Sequence, residues 1–202
     1  MPQQTLAAKI LLASSSPYRK QQLKQQLGLD VKTVAPDINE SPLSDEIPKQ
    51  TALRLSLLKA QAVASVLDEP HLIIAGDQTA SFEGELLKKP MTQDIAHKQL
   101  QRFSGRQLSF FSGVCLLHSK SGEHLETVVE THVQFRHLSA DQITYYLEYD
   151  KPFDCVGAFK NESLGITLLK SITSNDPSAL TGLPLITLTQ MLLEMGIDVL
   201  QK

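Results

Sequence analysis

The chain has 202 residues, enough for one good-sized domain or for two small lobes sharing a sheet. Its 42% hydrophobic and 20% charged residues are ordinary for a soluble globular protein, and a formal net charge of −3 argues against a general binder of nucleic acid or anionic membranes. No apolar run approaches membrane-spanning length, and the only cysteines, Cys115 and Cys155, lie far apart, which speaks for free buried thiols over a zinc site or a disulfide framework.

Residues 1–8 read as a short tail ahead of a single domain over 9–202. The stretch from Leu6 to Ala13 is loosely apolar, but Lys9 interrupts it and three serines and a proline follow. That fits a core strand from Lys9 to Ala13 better than a secretory signal, so a cytoplasmic protein is expected. Ser14 to Lys20 forms a strand-to-helix junction, with Ser16 as N-cap and Pro17 at the first helical position. Leu23 and Leu27 recur on one face, and Gly28 stops the helix. Such a junction aims backbone N–H groups and hydroxyls at whatever lies above the strand. With Arg19 it makes either a phosphate site or an ordinary capped helix with a solvated arginine.

Val31 to Ala35 reads as a second strand, followed by a proline-bounded loop from Pro36 to Pro42. Glu40 in that loop is a candidate ligand or a solvated acid. Apolar spacing predicts a helix from Pro48 to about Leu67, on which Lys59 sits beside the core face and reads as a snorkelling side chain. His71 to Gln78 is a buried apolar run that stops at Gly76, placing Asp77 at the lip of a sheet. There it faces a crevice, where α/β proteins bind ligands, or merely caps the next turn.

Thr79–Phe82 and Glu85–Leu87 flank a Glu83-Gly84 turn, and Thr92 caps a helix running to Phe103. Gln107–His118 and Leu125–Leu138 form a long antiparallel hairpin. Ser139 and Gln142 make a capping box for a helix through Tyr149. Gly157 and Gly165 bracket Glu162 in a shaped loop, which leads to a short strand through Ile166 and Leu168. Asp176-Pro177 starts a turn, and Gly182-Leu183-Pro184 leads into a last helix ended by Gly196. The mixture of elements, with at least one antiparallel hairpin, specifies an α/β fold with a mixed sheet.

The six histidines show no metal-ligand spacing, and no nucleophile elbow, P-loop or dinucleotide fingerprint occurs. What remains is Ser14, Ser16, Arg19, Glu40, Asp77 and Lys89. Cations for phosphate oxygens stand there with acids that can hold a divalent metal or activate water, the inventory of phosphoryl chemistry.

These residues also carry a family resemblance. Lys9 to Lys20 resembles the opening motif of the Maf nucleotide pyrophosphatases. Ala35 to Glu40, Leu58 to Ala60, Ala75 to Gln78, Lys89-Pro90, Phe103 to Gly105 and Thr181 to Pro184 match in order. The resemblance implies an elongated mixed sheet flanked by helices, with two lobes and a central cleft, related to the ITPase-like folds. It implies a hydrolase that splits a nucleoside triphosphate into monophosphate and pyrophosphate with a divalent cation, Mg²⁺ or Mn²⁺. Asp77 matches the family's proton acceptor, and Arg19, Glu40, Lys59 and Lys89 its phosphate and metal site, with Glu40 and Asp77 as the metal acids. This replaces the snorkelling role for Lys59.

Lys20 stands where a second arginine is usual and Asn39 where an aspartate is usual, so neither joins the catalytic set. At Tyr18, Gln78 and Glu162 the pyrimidine-directed branch typically shows Arg, Thr and Gln. The aromatic, amide and acid found here resemble the branch acting on 7-methyl-GTP. N7-methylation makes guanine cationic, which favours an aromatic face, and a carboxylate accepts both donors of the guanine edge. The expected substrate set is thus Ser14, Ser16, Tyr18, Gln78 and Glu162. The alternatives are a dTTP/UTP pyrophosphatase, or a division-associated nucleotide-binding protein without turnover. Neither nucleic acid nor membrane is an expected partner, and a homodimer is compatible with the sequence.

Overall fold

The computed structural model describes residues 10–201. The expected tail, 1–8, lies outside the described residues. The chain begins with β1 (Ile10–Ala13), α1 (Pro17–Leu27) and β2 (Lys32–Val34), followed by the long α2 (Pro48–Ala64) and β3 (Leu72–Phe82). Next come β4 (Glu85–Leu86), α3 (Gln93–Phe103), β5 (Gln107–His118), β6 (His124–Phe135) and α4 (Ala140–Asp150). Short 3₁₀ turns lead to β7 (Leu169–Ser174), and a further turn, Pro177–Thr181, precedes α5 (Leu185–Glu194). Among the described residues no helix is long and apolar enough to cross a membrane.

The strands form one seven-stranded sheet in the order β2-β1-β3-β5-β6-β7, with β4 also beside β3. β1 runs parallel to both β2 and β3, whereas β3, β5, β6 and β7 pair antiparallel. β1 needs no alternation because both faces of its four residues are covered, and all four are buried.

The sheet is covered unevenly. On one face, α1 and α5 set Leu23, Leu188 and Leu192 against Ile10, Leu12, Ile74 and Leu116. On the other, α2 packs Ala60 and Val63 on Ile73, Ala75 and Cys115. Further along β3 and β5, α3 and α4 enclose an aromatic core of Phe82, Phe103, Phe110, Phe135 and Tyr146. β3 and β5 pass through both lobes and join them.

The crevice opens where β1 ends. β1 pairs with β3 up to Ala13 opposite Ala75, and β4 pairs only with Ser81 and Phe82. β5 holds the other edge of β3 throughout. The edge of β3 at Gly76 to Thr79 therefore faces a fork in the sheet.

This corrects one sequence expectation. β3 does not stop at Gly76, and the interruption belongs to its neighbour. Glycine is required at Gly76 by close approach, since a Cβ there would lie 2.7 Å from Leu183 Cδ2 and 3.0 Å from the Gly113 carbonyl. Four smaller differences follow from local contacts. α2 ends at Ala64, short of Leu67. Ser16 occupies the N-cap of α1 without a side-chain cap bond, and its own N–H donates to Ser14 Oγ at 3.1 Å. Leu164–Leu168 is a 3₁₀ turn, because the Gly165 N–H bonds back to Asp150 and folds the chain away from an extended path. Cys115 is buried as expected, but Cys155 is only half-buried. The capping box of Ser139 and Gln142 is present, and Thr92 caps α3.

The exposed loop between β2 and α2 carries Glu40 and is tied down by one ion pair. Glu46 accepts from Arg54 Nε at 2.6 Å and from Nη2 at 2.7 Å, and its Oε2 also accepts from the Leu43 N–H at 3.1 Å. Arg54 donates in addition to the Ser41 carbonyl at 3.2 Å. The bidentate arginine pulls the Glu46 carboxyl from 4.5 down to about 2. A pKa lowered on folding stabilises the folded state above the unfolded value, and the stabilisation disappears as pH falls through the folded one. The unfolding free energy of the wild type relative to Glu46→Gln, measured by urea titration, should be constant above pH 4.5 and shrink towards zero near pH 2.

Candidate active site

Ser14, Ser16, Tyr18, Arg19, Glu40, Lys59, Asp77, Gln78, Lys89 and Glu162 all line one cleft of about 750 Å³ at the fork. They come from the β1–α1 junction, α1, the loop before α2, α2, β3, the segment after β4 and the loop after α4, so the sheet and not any one motif assembles the site.

At its centre is Lys59. Its Nζ donates to Asp77 Oδ1 at 2.6 Å and pairs with Glu40 Oε1 at 2.9 Å. The Lys59 and Asp77 side chains are 7% and 10% exposed, whereas Glu40 is 57% exposed and comes in from the solvent side. A buried ammonium needs a counter-charge, and α2 meets it with the carboxylate of β3. Asp77 points to the α2 face of the sheet, and the next residue, Gln78, points to the other.

Arg19 is held by two contacts. Nε donates to the Gly182 carbonyl at 3.1 Å and Nη1 to Ser14 Oγ at 3.4 Å. Burial pulls its pKa below the ordinary value, while the charges of Asp77 and Glu40 oppose that shift. Ser14 is thus engaged internally, bracing Arg19 and the turn into α1. Gln78 spends its amide N–H₂ group on Ser112 Oγ (3.0 Å) and on the carbonyls of Ala179 (3.0 Å) and Leu180 (3.2 Å). Its Oε1 is then the atom left for a ligand. Lys89 is exposed on the opposite wall.

Both Arg19 and Gln78 lean on the turn at 176–183, and two residues that the sequence reading passed over fix that turn. Gln22, 3% exposed, donates to the carbonyls of Ser178 (2.8 Å) and Leu183 (2.9 Å) and accepts from the Leu183 N–H (3.1 Å). Asp176, 1% exposed, accepts from the Thr187 N–H at 2.9 Å and from its hydroxyl at 3.1 Å, so it ties the turn to α5. Asp176-Pro177 reads only as a turn signal, and Gln22 looks like any solvated helix glutamine. Neither carries a pattern that marks it.

Aromatic rings line the same cleft. Phe110 and Phe159, which meet edge-on at 5.6 Å between centroids, contribute to it, as does Tyr18 from α1. Glu162 stands exposed on the loop three residues after Phe159, and Asp154 is a second exposed acid of the lining. The cleft therefore joins the charges of Arg19, Lys59 and Asp77 to aromatic side chains and to carboxylates open to a ligand.

Among the described residues no group of three or more His, Cys, Asp or Glu is placed to hold a metal by itself. Glu40 and Asp77, already gathered on one cation, fit a different arrangement. Mg²⁺ is commonly held by one or two carboxylates together with substrate phosphates and water.

Comparison with known proteins places the chain in a family. Residues 9–195 match the family of Maf-like proteins. The chain belongs to that family. It is 46% identical over 186 residues to the 7-methyl-GTP pyrophosphatase of Burkholderia lata, covering 91% of this chain and 88% of the relative. It is 45% identical over 188 residues to the 7-methyl-GTP pyrophosphatase of Cupriavidus pinatubonensis, covering 93% of this chain and 94% of the relative. Among solved structures, the Staphylococcus aureus Ham1 protein superposes with a TM-score of 0.51 over 93% of this chain and 99% of that one. Its 14% identity makes the likeness one of fold, which is the expected α/β architecture.

Within this Maf-like chain the turn at 176–183 is the structural partner of Arg19. Gln22→Leu keeps the volume but strands the buried Leu183 N–H and removes the glutamine donor of the half-buried Ser178 carbonyl, at about 1–3 kcal/mol for each stranded group, while the Leu183 carbonyl keeps Ser178 Oγ at 3.2 Å. Urea denaturation should show at least about 2 kcal/mol lost. Pyrophosphate affinity, read by calorimetry on the folded variant, should fall with it as Arg19 loosens.

Proposed function

We propose that the protein is a nucleoside triphosphate pyrophosphatase acting on 7-methyl-GTP, releasing 7-methyl-GMP and pyrophosphate and so clearing a modified nucleotide from the cytoplasmic pool. The observation that carries this reading is the make-up of the cleft lining. Its Lys59-bridged acids and Arg19 suit a polyphosphate, and its aromatic wall with a free Glu162 carboxylate suits a cationic guanine. The relatives' names agree with the substrate.

In the reaction, water supplies an oxygen to the α-phosphorus and the bond to the β-phosphate breaks. Asp77 takes the proton of that water. Lys59 occupies Oδ1, and Oδ2 has no protein hydrogen bond among the described residues, which leaves it for water. Arg19, Lys59 and Lys89 offset phosphate charge, while Ser14 and Ser16 shape the turn over the phosphates. Glu40 and Asp77 would hold a divalent cation jointly with phosphate oxygens. When bound it supplies charge neutralisation as the leaving pyrophosphate forms.

Tyr18 offers a face to the cationic ring, where a desolvated contact contributes about 2 kcal/mol. Glu162 accepts the N1–H and exocyclic amine of guanine, and Gln78 Oε1 adds an acceptor.

Pyrophosphate release across 7-methyl-GTP, GTP, dTTP and UTP tests the proposal, with 7-methyl-GTP expected to show the highest kcat/KM. Preference for dTTP or UTP would move the enzyme to the other branch, and absence of turnover would leave a binding protein. In the same assay Asp77→Asn should lose about 10²–10⁴-fold in kcat with the fold intact by circular dichroism. Glu162→Gln turns one acceptor into a donor facing a donor. Loss of a hydrogen bond to a charged group costs about 1.5–3 kcal/mol, so the preference for 7-methyl-GTP over UTP should drop about 10- to 100-fold.

A further inference from the structure

The loop that carries Glu162 has almost no regular structure, yet its backbone is pinned from one side. The C-terminal turn of α4 provides every anchor. Tyr146, buried in the aromatic core, accepts at its hydroxyl from the Lys160 N–H at 2.9 Å. Asp150, 8% exposed, accepts at Oδ1 from Ser163 Oγ (2.5 Å) and at Oδ2 from the Gly165 N–H (3.1 Å). Its backbone carbonyl accepts from Lys160 Nζ at 2.9 Å, which sets that ammonium on the helix end.

The segment from Lys160 to Gly165 is thus folded around one carboxylate, with Glu162 at its apex. The turn is tight enough that a Cβ at Gly165 would lie 2.9 Å from the Lys160 nitrogen. None of these groups hydrogen-bonds to Arg19, Lys59 or Asp77.

We propose that Asp150 and Tyr146 are positioning residues for base selection, which set the place of Glu162 without contacting the nucleotide. The inference rests on Glu162 being the base-reading group. A carboxylate suits the Asp150 position because its charge strengthens both bonds it accepts, whereas an amide meets the Gly165 N–H as a neutral acceptor and the Ser163 hydroxyl as a neutral donor. Tyrosine suits the Tyr146 position because the ring fills the core while its oxygen reaches the loop. Burial pushes the phenol pKa up and keeps the group protonated.

The test measures 7-methyl-GMP and pyrophosphate affinities by calorimetry for the wild type, Asp150→Asn, Tyr146→Phe, Glu162→Gln and both double variants with Glu162→Gln. Tyr146→Phe keeps the core ring and serves if Asp150→Asn does not fold. The expected result is about tenfold weaker 7-methyl-GMP binding in each positioning variant, with pyrophosphate affinity unchanged and no further loss when Glu162→Gln is already present. Unchanged 7-methyl-GMP affinity in the positioning variants, with a loss in Glu162→Gln, overturns the proposal and leaves the base-reading role standing. An equal loss of pyrophosphate affinity, or additive losses in the doubles, also overturns it, because the effect is then general or bypasses Glu162. No loss in Glu162→Gln itself overturns the base-reading role and this proposal together.

Discussion

The site depends on one buried cation. Lys59 lies on a helix face that packs against the sheet, where an unpaired ammonium would be prohibitively costly to desolvate. Its contact with Asp77 at 2.6 Å makes the burial tolerable and also fixes the register of α2 on β3. Glu40 completes the pair from a loop that has little else to hold it than the Glu46–Arg54 clamp. Three segments distant in sequence are thereby referred to one nitrogen atom. The same charges that make the pairing necessary make the cleft suited to a polyphosphate and a cation, since each can exchange partners with an incoming ligand of like charge.

That pairing has access to a ligand because the sheet divides. Had β1 continued beside β3 past Ala13, Gly76 to Thr79 would have been paired on both edges, and Asp77 would have been enclosed between strand and helix. Ser14 to Pro17 ends β1 instead, with Ser14 Oγ turning the chain and bracing Arg19. One junction therefore both opens the cleft and supplies its arginine.

Much of this was legible in the sequence, and the missing part has a common cause. Strands, helices and caps written in local patterns, such as Thr92, the box of Ser139 and Gln142, and Gly28 ending α1, lie where the patterns place them. The candidate site residues do converge on one cleft. Gly76 was legible as a special position but not for the right reason. A glycine that ends a strand and one that admits a neighbouring side chain look alike until Leu183 is seen against it. Lys59 shows the same limit, because apolar spacing assigns its face but cannot show which acid waits there. Gln22, Asp176 and Asp150 act through partners between 11 and 161 positions away, and no local pattern encodes such pairings.

The two groups of residues that line the cleft are built on different principles. Lys59 and Asp77 are carried by α2 and β3, elements packed into the core, so a displacement there disturbs it. Glu162 is carried by 3₁₀ turns and a loop held by a handful of hydrogen bonds to the last turn of α4. Hydrolysis of the anhydride is the same whatever base is attached, and it needs charges fixed to within a fraction of an ångström, which regular elements provide. On the proposed reading, discrimination among bases needs one carboxylate placed against two donors, which a pinned loop provides at little cost to the core. That reading separates the choice of nucleotide, set in the loop, from the chemistry set on α2 and β3. Reassigning the chemistry itself would require moving buried Lys59 and Asp77 together, because Asp77 without Lys59 is an unpaired buried charge and Lys59 without Asp77 keeps only the exposed Glu40.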